Sequence, residues 1–136
     1  MLSKVKFDFD VDGIFSSMIL YTAFTTVGAR CFIETPNRVT EGYGLNRRIV
    51  DDAVSKGAGL LITCDNGIAA LDAVAYAKEL GMTVIVTDHH EVPYEEVEDE
   101  RKYILPAADA VIDPKQEDCH YPFKGLCGAA VAYKLI

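Results

Sequence analysis

Positive charge is in short supply. The 136 residues carry 13 Lys and Arg against 21 Asp and Glu, a net charge of −8 with a pI near 4.7, which excludes a domain that grips a nucleic-acid backbone by its own bulk charge. Any phosphate-bearing partner must then be held by metal or by a few local basic residues. Paired cysteines are missing too. Cys31, Cys64, Cys119 and Cys127 form no CxxC pair, and with no basic-plus-apolar leader ahead of them they read as reduced thiols of a cytoplasmic protein. The longest apolar stretch, residues 13–28, is broken by Ser, Thr and Gly and is too short and polar to span a bilayer, so no membrane role is expected. Internal repeats, low-complexity tracts and inter-domain linkers are also absent.

What remains is a chain with half its residues apolar and a quarter charged, enough to bury a core at the length of one ordinary domain. Apolar runs of strand length alternate with segments of helical period: strands at 5–9, 30–34, 60–63 and 83–86, helices at 14–27, 45–55 and 68–80. The runs Leu60-Leu-Ile-Thr and Thr83-Val-Ile-Val are continuously apolar, as expected where helices cover both faces of a parallel sheet. The expected fold class is therefore α/β, a three-layer αβα arrangement around a mainly parallel open sheet. Past His90 the order loosens through an acidic stretch, 91–100, read as a short helix or a solvated loop. A late strand at 110–112, a loop at 114–124 and a helix from Leu126 follow. That helix reaches Ile136 with no capping residue, so the expected domain is the N-terminal part, 1–136, of a polypeptide that continues.

In an open parallel sheet ligands bind beyond the carboxyl ends of the strands, and here those positions are crowded with polar residues. Asp8-Phe-Asp-Val-Asp-Gly follows the first strand, Cys64-Asp-Asn-Gly the third, Thr87-Asp-His-His the fourth and Asp113-Pro the late one. Each has a structural reading when taken singly: Asp12-Gly13 as a helix N-cap, Asp65-Asn-Gly as a tight turn, Asp88 as an Asx-turn. Redundancy defeats that reading, because one helix needs one capping oxygen and the first strand ends in three aspartates at alternate positions. Carboxylates crowded at one edge repel each other and need cations. Hard carboxylates mixed with imidazole suit Mn²⁺, Mg²⁺ or Fe²⁺ better than a thiolate zinc site. Such a set can hold two ions about 3.5–4 Å apart, one activating water and both clamping the oxygens of an in-line phosphoryl displacement. Phosphoester hydrolysis is the reaction implied.

These motifs, with Pro36-Asn-Arg-Val-Thr-Glu-Gly-Tyr-Gly-Leu and Gly125-Leu-Cys-Gly-Ala-Ala-Val-Ala-Tyr-Lys-Leu, resemble the DHH phosphoesterase superfamily, and within it the RecJ-like exonucleases. The resemblance runs from about Val5 to the last residue. It implies a 5′→3′ exonuclease on single-stranded DNA in repair and recombination, dependent on Mn²⁺ or Mg²⁺ with two ions in the complete protein. By position it assigns Asp10, Asp12, Asp65 and His89 as metal ligands, Asp65 bridging, with Asp8 a weaker candidate. It gives His90 the scissile phosphate, Asp88 the orientation of a neighbouring imidazole, and Arg38 a nucleic-acid or phosphate contact. It further implies a later aspartate ligand and a smaller C-terminal domain, both beyond this chain, without which the isolated chain is expected to be inactive. The alternatives are another DHH phosphoesterase, acting on oligoribonucleotides, cyclic dinucleotides or polyphosphate, and a non-catalytic scaffold. Lys6-Phe7 stands where relatives often carry His or an aromatic followed by Gly, and its ammonium is a poor neighbour for a metal ion.

Overall fold

The computed structural model describes residues 2–7 by their backbone and residues 10–34 and 44–136 in full. Five strands form one parallel sheet in the order β2-β1-β3-β4-β7: β1 (Leu2–Phe7), β2 (Arg30–Glu34), β3 (Ala58–Cys64), β4 (Thr83–Thr87) and β7 (Ala110–Ile112). Helices α1 (Val11–Thr26), α2 (Arg47–Ser55) and α3 (Leu71–Glu79) make the crossovers, and α4 (Gly128–Leu135) ends the chain. A separate antiparallel hairpin, β5 (Tyr94–Val97) with β6 (Glu100–Tyr103), is inserted between β4 and β7.

Alternation along the strands sorts the core into two layers. Ile62 and Cys64 pack with Leu20 of α1 and Ala132 of α4, whereas Leu61, Val84 and Val86 pack with Ile49, Val50, Ala73 and Val74 of α2 and α3. Successive side chains on a strand point to opposite faces, so α1 and α4 cover one face and α2 and α3 the other. This is the three-layer α/β arrangement that the strand and helix periods predict. The order of the strands reverses between β1 and β3, which places a crevice at the carboxyl ends of those two strands.

Local chemistry sets the ends of the helices. Asp10 caps α1 through Gly13 N, 2.9 Å from Oδ1, and Asn46 caps α2 through Ile49 N at 3.1 Å. The cap of α1 is thus Asp10 rather than Asp12, and α1 begins three residues ahead of the expected start. Helix α3 begins at Leu71 instead of 68, because Asn66–Ala70 is spent on a turn closed by Ala70 N to Gly67 O. The last helix starts at Gly128 rather than Leu126.

The acidic stretch at 91–100 is neither a helix nor a loop but half of the hairpin. Glu98 and Asp99 both adopt positive φ, 53° and 66°, which matches the turn that joins two strands through two residues. Tyr94 sits edge-on to Tyr103 across the pair, and the Arg101 guanidinium stacks on Tyr94. Among the described residues no helix is long and apolar enough to cross a membrane.

The turn after β3 is closely packed. Asp65 has φ of 60° and Gly67 of 113°, and a Cβ added at Gly67 would lie 2.5 Å from Thr63 Oγ1. Gly67→Ala should therefore cost about 1–3 kcal/mol of stability. Urea unfolding checks this as a lowered midpoint at unchanged slope; an unchanged midpoint would mean that the turn relaxes freely.

Candidate metal centre

Strand register builds the site. Cys64 pairs with Thr87, and Thr87 with Ile112, so the residues one step beyond these three stand in a common row. That next residue is aspartate every time: Asp65, Asp88 and Asp113. Asp8 lies outside the described residues, as do Arg38 and the Glu41-Gly-Tyr element, and the side chain of Lys6 is likewise outside them.

Each carboxylate has a different fate. Asp88 is buried and saturated: Oδ2 accepts from Ile68 N at 2.9 Å, and Oδ1 from His89 N at 2.7 Å and His90 N at 3.2 Å. Oδ1 also lies 2.6 Å from His90 Nδ1. That contact turns the His90 ring so that Nε2 faces away from Asp88. Burial works against the charged form of His90, but Asp88, with Asp65 and Asp113 beyond it, outweighs burial and raises its pKa.

Asp65 is 1% exposed, yet its Oδ1 has no hydrogen-bond donor. His89 Nε2 approaches that oxygen to 2.9 Å and Asp12 Oδ2 to 3.5 Å. Both oxygens of Asp12 accept main-chain amides of α4, Gly128 N at 2.6 Å and Ala129 N at 2.7 Å. Asp10 turns one oxygen to its own helix and also neighbours Asp65; the amide of Gly13 is the main cause that holds its pKa below the ordinary value. Asp65 itself is pushed up to about 7, by burial first and then by the negative charges of Asp12 and Asp10.

Ligand atoms of Asp65, His89 and His90 all fall within 4.8 Å of one another. An orphaned buried carboxylate oxygen facing an imidazole nitrogen fits a divalent cation, and a carboxylate with two imidazoles is a donor set for the borderline-hard first-row ions. Asp88 behind His90 is a hydrogen-bonded carboxylate of the kind that fixes the orientation of a functional imidazole. A cavity of about 310 Å³ opens alongside, lined by Gly44, Leu45, Asp65, Gly67, Asp88 and His90 among others.

Two residues stand at this edge without a role from sequence reasoning. Asp113 is 2% exposed and leaves Oδ2 without a partner, Oδ1 accepting Lys115 N at 2.8 Å. Its place after a three-residue strand was the available signal. Gly128 is the other: a Cβ there would lie 2.7 Å from Asp65 Oδ1.

With this geometry in hand, the family follows. Residues 5–136 match the model of the DHH family, N-terminal domain. The chain belongs to the DHH family. This DHH chain is 42% identical over 130 residues to the single-stranded-DNA-specific exonuclease RecJ of Escherichia coli (strain K12), covering 95% of the chain and 21% of that protein. Against RecJ of Bacillus subtilis (strain 168) the identity is 41% over 128 residues, 94% of the chain and 15% of that protein. A crystal structure of exonuclease RecJ bound to manganese superposes with a TM-score of 0.78 at 29% identity, covering 96% of the chain and 31% of its counterpart. The DHH chain thus spans about a fifth of the length of the first of these relatives.

The raised pKa of Asp65 fixes the sign of a pH effect. Unfolded, an aspartate ionises near 3.9, so between about pH 4 and 7 the folded metal-free chain holds a proton that the unfolded chain has released. The contribution of Asp65 to stability is present below pH 4 and declines as pH rises towards 7, by at most about 1.4 kcal/mol per unit. Thermal midpoints of metal-free protein should fall from pH 5 to pH 7.5, with a shallower fall in Asp65→Asn. Equal slopes in the two would place the titration on another group. Mn²⁺ must displace the same proton, so its affinity should rise across this range.

Proposed function

We propose that this DHH chain is the N-terminal catalytic part of a RecJ-like, divalent-metal-dependent exonuclease that hydrolyses single-stranded DNA from the 5′ end. The observation that carries this reading is the orphaned Asp65 Oδ1 facing His89 at the β1/β3 switch point. The 42% identity to a single-stranded-DNA-specific exonuclease supports the substrate class. Mn²⁺ is the ion proposed, in line with the manganese-bound RecJ structure.

In this reading Asp65 and His89, with Asp10, Asp12 and Asp8, would hold the ions, two of them in the complete protein. When bound, they supply charge neutralisation at phosphoryl oxygens and a more acidic water. His90, its Nδ1 held by Asp88, offers Nε2 to the scissile phosphate, and carboxylate neighbours that favour the charged form of the ring suit it to a developing negative charge. Asp88 acts only through that ring and through the Ile68 amide that ties it to the turn. Arg38 would take a flanking phosphate, which a chain of net charge −8 can do only through such local cations. The natural polypeptide continues, in this proposal, into a later aspartate ligand and a C-terminal domain that completes the cleft.

End-labelled oligonucleotides provide the test, with the chain alone and a chimera in which the downstream part of the Bacillus subtilis relative follows Ile136. With Mn²⁺, the chain alone should leave single strands intact. The chimera should release mononucleotides from the 5′ end of single strands and leave duplexes intact, and Asp65→Ala within it should abolish release. Robust digestion by the isolated chain would refute the shared-cleft proposal, and a chimera that cuts duplex or works from the 3′ end would refute the proposed substrate and polarity.

A further inference from the structure

We propose that the start of α4 is a carboxylate clamp: the main-chain amides of Gly128 and Ala129 hold Asp12, and the bare Cα of Gly128 seats Asp65, so that the two acids are positioned before a metal ion arrives. This rests on the metal reading of the site given above.

An acidic residue in the first turn of a helix ordinarily faces the amides of its own helix. Asp12 does not. Its two oxygens reach 116 and 117 residues along the chain, one to each amide, at 2.6 and 2.7 Å. Helix α4 has no side-chain cap of its own, since Cys127 makes no capping bond and the first intrahelical bond is Val131 N to Cys127 O. The amides of Gly128 and Ala129 are therefore available, and Asp12 takes both.

If Asp12 served only to cap α4, nothing would bind Asp65 to the same helix start. Yet a Cβ at Gly128 would lie 2.7 Å from Asp65 Oδ1 and 2.8 Å from Asp65 Cβ. One residue thus donates to the first carboxylate and gives clearance to the second. His89 Nε2 faces both, 3.5 Å from Asp12 Oδ2 and 2.9 Å from Asp65 Oδ1. Amide dipoles at the helix start offset part of the repulsion between the two acids. Each Asp12 oxygen spends one lone-pair direction on an amide and keeps another for a cation. Gly128 and Ala129 are accordingly positioning residues, acting through Asp12 and Asp65.

Proline separates this from a role in helix stability alone. Within the first turn proline removes an amide hydrogen at modest cost to the helix. Ala129→Pro deletes the bond to Asp12 Oδ1, whereas Ala130→Pro imposes a similar restraint on an amide that Asp12 does not use. Free Mn²⁺ is followed by electron paramagnetic resonance at neutral pH, well below the melting temperature of each variant. Ala129→Pro should weaken Mn²⁺ binding about tenfold, the low end of what changes behind metal ligands cost, and Gly128→Ala at least as much. Ala130→Pro should stay within about twofold of the parent. Equal affinity in Ala129→Pro and the parent, or equal losses in the two proline variants, would overturn the clamp. A parent chain that takes up no Mn²⁺ would overturn the metal reading and the clamp with it. Should a variant fail to fold, Mg²⁺ added to the parent should shift the ¹⁵N–¹H resonances of Gly128 and Ala129 more than that of Ala130, and unmoved resonances would overturn the clamp.

Discussion

The carboxyl edge of the sheet is governed by repulsion among acids that the parallel register sets side by side. Neighbouring strands in a sheet lie about 4.8 Å apart, so a row of aspartates one step beyond paired residues cannot remain fully charged without compensation. The chain distributes that compensation unevenly. Asp88 is saturated by the Ile68, His89 and His90 groups, Asp10 is tied to α1 and Asp12 to α4. Asp65 and Asp113 keep an oxygen with no donor. Uncompensated charge is thus concentrated where His89 and His90 converge, and a proton or a cation must settle there.

The scaffold around this edge supplies rigidity rather than chemistry. Both core layers lock the central strand β3 and its neighbour β4, and the helices that cover them place their N-termini towards the same edge. Small polar side chains on the buried side of α1 serve the same end. Ser16 and Ser17 return their hydroxyls to Asp12 O and Ile14 O at 2.7 Å, so a helix can pack closely without an orphaned donor. The turn that carries Asp65 adds a steric constraint, since it passes through positive φ at Asp65 and Gly67 and leaves no room for a Cβ at Gly67.

Much of this was legible in the chain. Inner strands buried on both faces leave continuous apolar runs, and β3 and β4 lie within two residues of where those runs place them, while the edge strand β2 coincides with its expected 30–34. The acidic hairpin was not legible, because Tyr94–Val97 and Glu100–Tyr103 are exposed throughout and so carry no alternation of apolar and polar residues for a period to reveal. Helix α3 starts late because its first expected turn is taken by Asn66–Ala70, a matter of backbone geometry that residue types only hint at. Asp12 is the clearest limit: its partners lie at the far end of the chain, and main-chain amides leave no trace in side-chain identity. Asp113 was legible as a carboxylate at this edge, since β7 coincides with the late strand expected at 110–112; that it stands beside Asp88 follows from the pairing of Thr87 with Ile112.

Register also decides where a chain of this kind can change its length. One residue inserted within β3 would carry Asp65 about 3.3 Å further along and onto the opposite face of the sheet, out of the row and away from both imidazoles. Between His90 and Pro106 no such restriction applies. The hairpin there is closed at its base by Ile104 N to Pro93 O, and it leaves the sheet before β7 rejoins. Added or lost residues at its tip are absorbed without moving a carboxylate. Among the described residues the hairpin is thus a projecting loop beside the histidines that can change length while the ligands stay in place.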